Sequence, residues 1–165
     1  MWALFLCVIF LDQFLKIWVK LNLGCVGCVS EKPIIYDWFV LSFVENRGFA
    51  FGLEFGGSVG KLFLTFFRIV LVAFVFRAFF LAVKRGLHLG VSVGVILILS
   101  GAVGNIIDSV FYGVLFGYAP LFFGSVVDMF YFKLIVNEFG SVVFFPFIFN
   151  VADSVIVIGV GILLF

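Results

Sequence analysis

The stretch FIFNVADSVIVIGVGILLF, residues 147–165, is almost long enough and apolar enough to cross a lipid bilayer. A transmembrane helix needs about 20 consecutive, mostly apolar residues. Two polar side chains interrupt this stretch, the amide of Asn150 and the carboxylate of Asp153. Because polar groups are costly in hydrocarbon, their presence in such a segment indicates a contact between helices or a functional site.

The composition of the whole chain indicates a membrane protein. Its 165 residues are 65% hydrophobic and only 12% charged, and the formal net charge is +1. A soluble domain of this size could not bury so many apolar side chains, because a small globule exposes much of its area. We therefore expect one membrane domain over residues 1–165, with membrane lipids around it and no nucleic-acid partner.

Four segments are predicted to be transmembrane helices, at 2–21, 62–83, 89–111 and 146–165. The predicted fold class is therefore an all-α integral membrane protein. Asp12 interrupts the first segment, which we interpret as a retained helix and not as a cleavable signal. The outer segments 22–61 and 112–145 are more polar, and the first contains a β-like run, YDWFVLSFV.

Four spans place both termini and the short turn KRGLH (84–88) on one side of the membrane, and both outer segments on the other. Lys84 and Arg85 indicate a cytoplasmic turn. The outer segments also carry lysines and arginines, so the positive-inside rule is ambiguous here.

The pattern Asn-x-x-Asp-Ser occurs twice, beginning at Asn105 in the third span and at Asn150 in the fourth. In each pattern the amide and the carboxylate, Asp108 or Asp153, share one helix face. The two spans run in opposite directions, so both patterns should lie within roughly 10 Å of the same membrane face. The four side chains then form either a reaction or transport site or a hydrogen-bonded clasp between helices.

Other ionisable residues also lie in the predicted spans. Asp12 and Lys16 have the i,i+4 spacing of an ion pair, which would orient the first helix or take part in function. Arg68 and Arg77 in the second span would reach the interface, pair with an acid or take part in function.

Asp128 lies in GSVVDMFYF, between the third and fourth spans. It is either an ordinary loop aspartate, a helix N-cap or an acid whose pKa is raised by its apolar neighbours. Two carboxylates that share a site supply a general base and a general acid, which is the chemistry of aspartic proteases. This chemistry needs no cofactor and no metal.

Competing chemistries find little support. His88 is the only histidine and lies in the turn at the opposite face, so neither an HExxH zinc site nor a Ser–His pair is available. Cys25 and Cys28 form a CxxC motif, but only Cys7 remains as a further thiol ligand. A redox or disulfide role for that motif remains the less favoured alternative to incidental cysteines.

Five short motifs follow one another along the chain: DQFLK (12–16), ENRGFAFGL (45–53), GAVGNIIDS (101–109), VVDMF (126–130) and FNVADS (149–154). In this order they resemble the bacterial lipoprotein signal peptidases, the type II signal peptidases. The chain departs from the usual pattern at Phe49 and at Ser109. Ser109 stands where the family commonly has arginine, whose role would be lost or supplied by Arg47 or Arg68.

The resemblance implies an aspartic endopeptidase that removes the signal peptide from diacylglyceryl-modified prolipoproteins by cleaving before the lipidated cysteine. It implies Asp128 and Asp153 as the catalytic pair. The residues that it implies as substrate-binding or site-shaping are Asn46, Asn105, Asp108, Asn150, Asp12 and Lys16.

The resemblance also implies a place in the cell. We expect a monomer in the bacterial inner membrane, with cytoplasmic termini, an active site toward the outer face and a β-cradle formed by residues 22–61. The alternatives are a small ion- or proton-coupled transporter or channel subunit and a non-catalytic assembly protein held by the polar clasp.

Overall fold

The structure, a computed structural model, describes residues 1–24, 31–48 and 56–165. The helices in these ranges are α1 (Trp2–Leu23), α2 (Gly57–Lys84), α3 (Leu89–Ile107), α4 (Gly113–Leu115) and α5 (Val151–Leu164). The strands are β1 (Lys32–Ile35), β2 (Phe39–Asn46), β3 (Val126–Phe132), β4 (Ile135–Val136), β5 (Val142–Phe144) and β6 (Ile148–Phe149). A π-helical turn, Asp108–Tyr112, joins α3 to α4.

Within the described ranges, three helical segments are long and apolar enough to cross a membrane, namely α1, α2 and the continuous run Leu89–Leu115. They coincide with the first three predicted spans. Large apolar side chains such as Phe63, Val70 and Phe74 are exposed along α2, as expected for a surface that faces lipid.

The fourth long helix begins later in the sequence than predicted. Helix α5 starts at Val151 instead of residue 146 and has 14 residues, which corresponds to a length of about 21 Å. Asn150 caps the start of α5 through two reciprocal hydrogen bonds. Its side chain accepts one from the Asp153 N–H, and the Asp153 carboxylate accepts one from the Asn150 N–H. The residues before Asn150 are therefore extended and not helical. This helix alone is shorter than a hydrocarbon core of about 30 Å.

The predicted β-cradle is present, but it is larger than expected because strands from outside residues 22–61 join it, so the fold is mostly helical and not all-α. Four strands form an antiparallel sheet in the order β1-β2-β3-β6, and β4 pairs with β5 in a separate hairpin. The predicted β-like run supplies β2, whereas β3 and β6 come from the second outer segment and its junction with α5. In the register of the sheet Asp128 lies opposite Val44, and Val126 lies opposite Asn46.

A small apolar core lies where the sheet meets the helices. It contains the buried side chains of Val19, Tyr112, Val127 and Met129, which come from α1, the π-helical turn and β3. Because Val127 and Met129 flank Asp128 along the strand, this packing fixes the backbone that carries the aspartate.

Helices α3 and α5 pack at very close range through glycines. A methyl group on Gly101 would lie 2.3 Å from the Ala152 carbonyl oxygen, and one on Gly104 would lie 2.6 Å from Asp12 Oδ2. A methyl group on Gly159 would lie 2.6 Å from the Gly94 carbonyl oxygen. Gly101 and Gly159 therefore allow the α3 and α5 backbones to approach each other, and Gly104 leaves room for the Asp12 side chain of α1.

Two glycines of α5 offer a matched test of this packing. Gly159→Ala is expected to destabilise the protein by about 1–3 kcal/mol, because the new methyl group overlaps the α3 backbone. Gly161→Ala meets no atom within 4 Å and should be neutral or stabilising by up to about 1 kcal/mol. Melting temperatures in detergent measure both effects, and equal behaviour of the two variants would contradict the packing.

Candidate active site

Lys16 is the ionic centre of a buried polar cluster. Its Nζ lies 2.9 Å from Asp12 Oδ2, 2.9 Å from Asp108 Oδ2 and 2.8 Å from Asn105 Oδ1. An ammonium group has three N–H donors, so these contacts satisfy all of them. The predicted Asp12–Lys16 pair therefore forms, and it extends from α1 to the end of α3.

Asp12 also connects α1 to α5. Its Oδ1 accepts a hydrogen bond of 2.9 Å from the Ala152 N–H, which is one of the first N–H groups of α5. The first N–H groups of a helix have no partner within the helix, and a carboxylate there is favourable. Asp12 thereby fixes the end of α5 that carries Asp153.

Sequence reasoning missed two residues of this cluster, Gln13 and Tyr112. Gln13 Nε2 donates to Asp108 Oδ1 over 2.8 Å and to the Gly104 carbonyl over 3.1 Å. Its Oε1 accepts from the Tyr112 hydroxyl at 3.1 Å. The signal that could have found Gln13 is its position, because it is a second polar residue beside Asp12 in an apolar helix.

Asp108 is completely surrounded by donors. Besides Lys16 and Gln13, its carboxylate accepts from the Val127 N–H at 3.2 Å, and the residue is 0% exposed. It thus ties the end of α3 to strand β3, one residue before Asp128. No carboxylate oxygen of Asp108 is left to act on a substrate, so its geometry suits positioning.

Two asparagines have fixed orientations in this network. Since the Lys16 ammonium can only donate, the Asn105 carbonyl faces Lys16 and its NH₂ group faces Asp153 Oδ1 at 2.9 Å. The Asn150 carbonyl accepts from the Asp153 N–H, so its NH₂ group faces Asp128 Oδ1 at 2.7 Å. Both amides therefore present donors to the carboxylates.

Asp128 and Asp153 are held side by side through Asn150. Its side chain donates to Asp128, while its main-chain N–H donates to Asp153 Oδ2 over 3.2 Å. Asn46 of β2 donates to the other oxygen of Asp128 over 3.2 Å. The sheet and α5 thus bring together two acids that are 25 positions apart in the sequence.

The two acids have different surroundings. Asp128 is 4% exposed, and Asp153 is less deeply buried. Burial, together with the nearby charge of Asp153, raises the pKa of Asp128 to about 7. Asp128 is therefore the member of the pair that holds a proton near neutral pH, as expected when two carboxylates share a site.

Asp128→Asn is expected to raise the melting temperature at pH 8 and to leave it nearly unchanged at pH 4. In the unfolded chain this carboxyl ionises near pH 3.8, but in the folded protein it stays protonated to about pH 7. The free energy of unfolding of the wild type therefore falls as the pH rises from about 4 to about 7. The shift of about three pKa units for Asp128 corresponds to a loss of about 4 kcal/mol.

The measurement is thermal unfolding of both proteins in detergent at the two pH values. Glu138→Gln, at an exposed position, controls for the loss of a surface charge. If the melting temperatures of wild type and Asp128→Asn differed by the same amount at pH 4 and pH 8, Asp128 would ionise as easily in the folded protein as in the unfolded chain.

The polar face of α2 closes another side of the cluster. Lys61 is buried, with Nζ 3.5 Å from the Ser109 hydroxyl, so a cation from α2 lies at the position where the family commonly has arginine. Arg68 also faces the protein, and its Nη2 donates to the Gly48 carbonyl over 3.4 Å. Arg77 is exposed, as expected for a side chain that reaches the interface.

The remaining sequence candidates lie elsewhere. His88 caps the start of α3 by accepting from the Gly90 N–H over 3.2 Å. The CxxC motif of Cys25 and Cys28 lies outside the described residues, as do Phe49 and the rest of the second motif beyond Gly48. The eight predicted catalytic and site-shaping residues all lie in the one polar cluster.

Comparisons with known proteins show which family the sequence and the fold resemble. The sequence model of the family described as signal peptidase II matches residues 4–165. A lipoprotein signal peptidase of Porphyromonas gingivalis is 40% identical, and the match covers 98% of this chain and 80% of that protein. A lipoprotein signal peptidase of Clostridioides difficile is 38% identical, and the match covers 90% of this chain and 81% of that protein.

A solved structure shares the fold. It is titled as a bacterial membrane enzyme determined by the in meso method at 2.3 Å, and it superimposes with a TM-score of 0.68 at 24% identity, covering 98% of this chain and 83% of that one. The long apolar helices of the described residues and the family match indicate a multi-pass membrane protein. Together with the family match over nearly the whole sequence, this shows that the chain belongs to the signal peptidase II family, as its five motifs predicted.

Proposed function

We propose that this protein is an aspartic endopeptidase that removes the signal peptide from diacylglyceryl-modified prolipoproteins, with Asp128 and Asp153 as its catalytic pair. The observation that carries the proposal is the double role of Asn150, which donates to both carboxylates at once. Family membership and the names of the relatives support a lipoprotein signal peptidase.

The two acids take different roles. Asp128, with a pKa of about 7, carries the proton in the resting enzyme. Asp153 accepts N–H donors on both oxygens, from Asn105 and from the Asn150 main chain, so both oxygens act as acceptors. Asp153 is therefore the general base and Asp128 the general acid of the first step.

In that step, Asp153 takes a proton from water as the water oxygen bonds to the carbonyl carbon of the scissile peptide. Asp128 gives its proton to the carbonyl oxygen, which produces a neutral gem-diol. In the second step, Asp153 returns its proton to the leaving nitrogen while Asp128 takes one from the gem-diol, and the C–N bond breaks. Both acids then regain their resting states, and no cofactor is consumed.

The substrate's lipid gives a reason for the location of this site. The acyl chains of the modified cysteine would lie against exposed apolar side chains of the helices, and the scissile bond would reach the polar cluster beside the sheet. We propose the bacterial inner membrane, with the sheet at the outer face and the α2–α3 turn in the cytoplasm. Helix α5 with its preceding residues would complete four spans in a monomer.

The alternative of a transporter or channel subunit is not favoured. The polar contacts described above gather at the ends of α3 and α5 that face the sheet, whereas a conduction path should continue across the membrane. Arg77, the residue that would continue it, is exposed on α2. The family match also points to a peptidase.

The test is cleavage by the purified protein in detergent. A diacylglyceryl-modified prolipoprotein peptide is expected to be cut immediately before the lipidated cysteine, and mass spectrometry identifies both products. The same peptide without the lipid serves as the matched control and should be cut far more slowly. Absence of cleavage of every lipidated peptide would refute the proposed function.

A further inference from the structure

The proposed reaction gives no role to Arg68, a cation close to the two acids. It lies on the face of α2 that also carries Lys61, about two turns before it, and Thr65, about one turn before it. Thr65 Oγ1 contacts the Phe122 carbonyl at 3.2 Å. This face therefore points into the protein and not into lipid. The guanidinium is anchored there by the bond from its Nη2 to the Gly48 carbonyl.

The anchoring places Arg68 close to the acid pair. Gly48 follows Asn46 by two residues, and Asn46 donates to Asp128. The guanidinium lies within electrostatic range of the carboxylates of Asp153, Asp128 and Asp108. It is thus a positive charge beside the groups that carry the proposed reaction.

One end of this guanidinium has no hydrogen-bond partner among the residues that the structure describes. Nη1 is shielded from solvent and makes no hydrogen bond within the described parts of the chain. A buried charged donor without an acceptor costs free energy, and native proteins rarely leave one unpaired. The missing partner must be an acceptor, because a guanidinium only donates.

A cavity lies next to Gly48, the residue that anchors Arg68. Gly48, whose carbonyl holds Nη2, lies in the wall of a cavity of about 500 Å³. The apolar part of this wall includes Leu64, Pro120 and Phe123. Because Nη1 is itself shielded from solvent, the guanidinium must turn toward this space before a bound peptide can supply a backbone carbonyl to it. Such a carbonyl introduces no further charge.

We propose that Arg68 is a substrate-binding residue of this site, whose Nη1 donates to a backbone carbonyl oxygen of the peptide at the cleavage position. This inference rests on the proposed peptidase function and adds to it a residue outside the five motifs. A fixed donor and positive charge at that oxygen stabilise the negative charge that develops there as water attacks. Arg68 would then bind the transition state more tightly than the substrate.

The test measures kcat/KM on the lipidated peptide from pH 5 to pH 9 for wild type, Arg68→Gln, Arg68→Lys and Arg77→Gln. Arg68→Gln is expected to lose roughly 10²–10³-fold, the usual effect of removing one oxyanion donor. Arg68→Lys should lose less, because it keeps the charge but not the planar fork. Arg77→Gln, on the same helix but exposed, should match wild type.

The pH profile separates this role from a structural one. Wild type should lose activity above about pH 7, where Asp128 gives up its proton. Without the Arg68 charge, the ionised form of Asp128 is less stabilised, so the loss of activity at alkaline pH should move to higher pH in Arg68→Gln. In Arg68→Lys, which keeps the charge, it should stay at the pH of the wild type. Activity of Arg68→Gln within threefold of wild type, or a loss with an unmoved limb, would overturn the inference.

The same experiment distinguishes the failure of this inference from failure of the proposed function. If wild type does not cleave, or if Asp153→Asn cleaves as well as wild type, the peptidase assignment itself fails. If wild type cleaves, Asp153→Asn does not and Arg68→Gln is unaffected, only the role of Arg68 is refuted.

Discussion

Asp153→Asn is expected to lower kcat/KM on a lipidated prolipoprotein peptide by roughly 10⁴-fold, the upper end of what positioned acid–base groups contribute. The amide cannot take a proton from water, so the attacking oxygen remains a weak nucleophile. The change is nearly isosteric, and the measurement is the initial rate of peptide release beside the melting temperature of each variant.

The matched control is Asp108→Asn, which removes the charge of a neighbouring carboxylate that is already occupied by Lys16, Gln13 and the Val127 N–H. This variant should lose mainly stability and keep more activity than Asp153→Asn. Asp128→Asn should be as inactive as Asp153→Asn while melting no lower than wild type at neutral pH. If Asp108→Asn were the most inactive of the three, the acid pair would have been assigned to the wrong residues.

Much of this arrangement follows from the sequence because it depends on local spacing. The i,i+4 separation of Asp12 and Lys16 predicts their ion pair, and the pair forms. The repeated Asn-x-x-Asp pattern on antiparallel helices predicts that Asn105 and Asn150 meet, and they do so at 3.2 Å. In both cases a helix of known period leaves little freedom in the direction of the side chains.

The parts that were missed depend on contacts between distant segments. The run VVDMFYF is apolar on both faces, so it shows no strand-like alternation, and its partner β2 lies some 80 positions earlier. The direction of Arg68 was also undetermined, because most of α2 is apolar and Lys61, which shares the face of Arg68, lies outside the predicted span 62–83. The start of α5 was predictable in principle, since Asn150 and Asp153 have the spacing of a capping pair.

Lys16→Met is expected to destabilise the protein by about 3–5 kcal/mol, the usual cost of removing one partner from a buried ion pair. The variant leaves Asp12 and Asp108 as buried carboxylates without a cation, at 1% and 0% exposure. Unfolding in detergent measures the loss. Lys84→Met, at an exposed position, is the control and should change stability by less than about 0.5 kcal/mol.

The same variant should reduce activity through Asn105. Once the ammonium no longer fixes the Asn105 carbonyl, the amide can turn and present its oxygen to Asp153, so the base would lose one of its N–H donors. Adding Asp108→Asn to Lys16→Met removes one of the unpaired charges, so the double variant should unfold at a higher temperature than Lys16→Met alone. It should not regain activity, because Asn105 is still unanchored. Recovery of both stability and activity would mean that Lys16 acts only by neutralising charge and has no part in orienting the base.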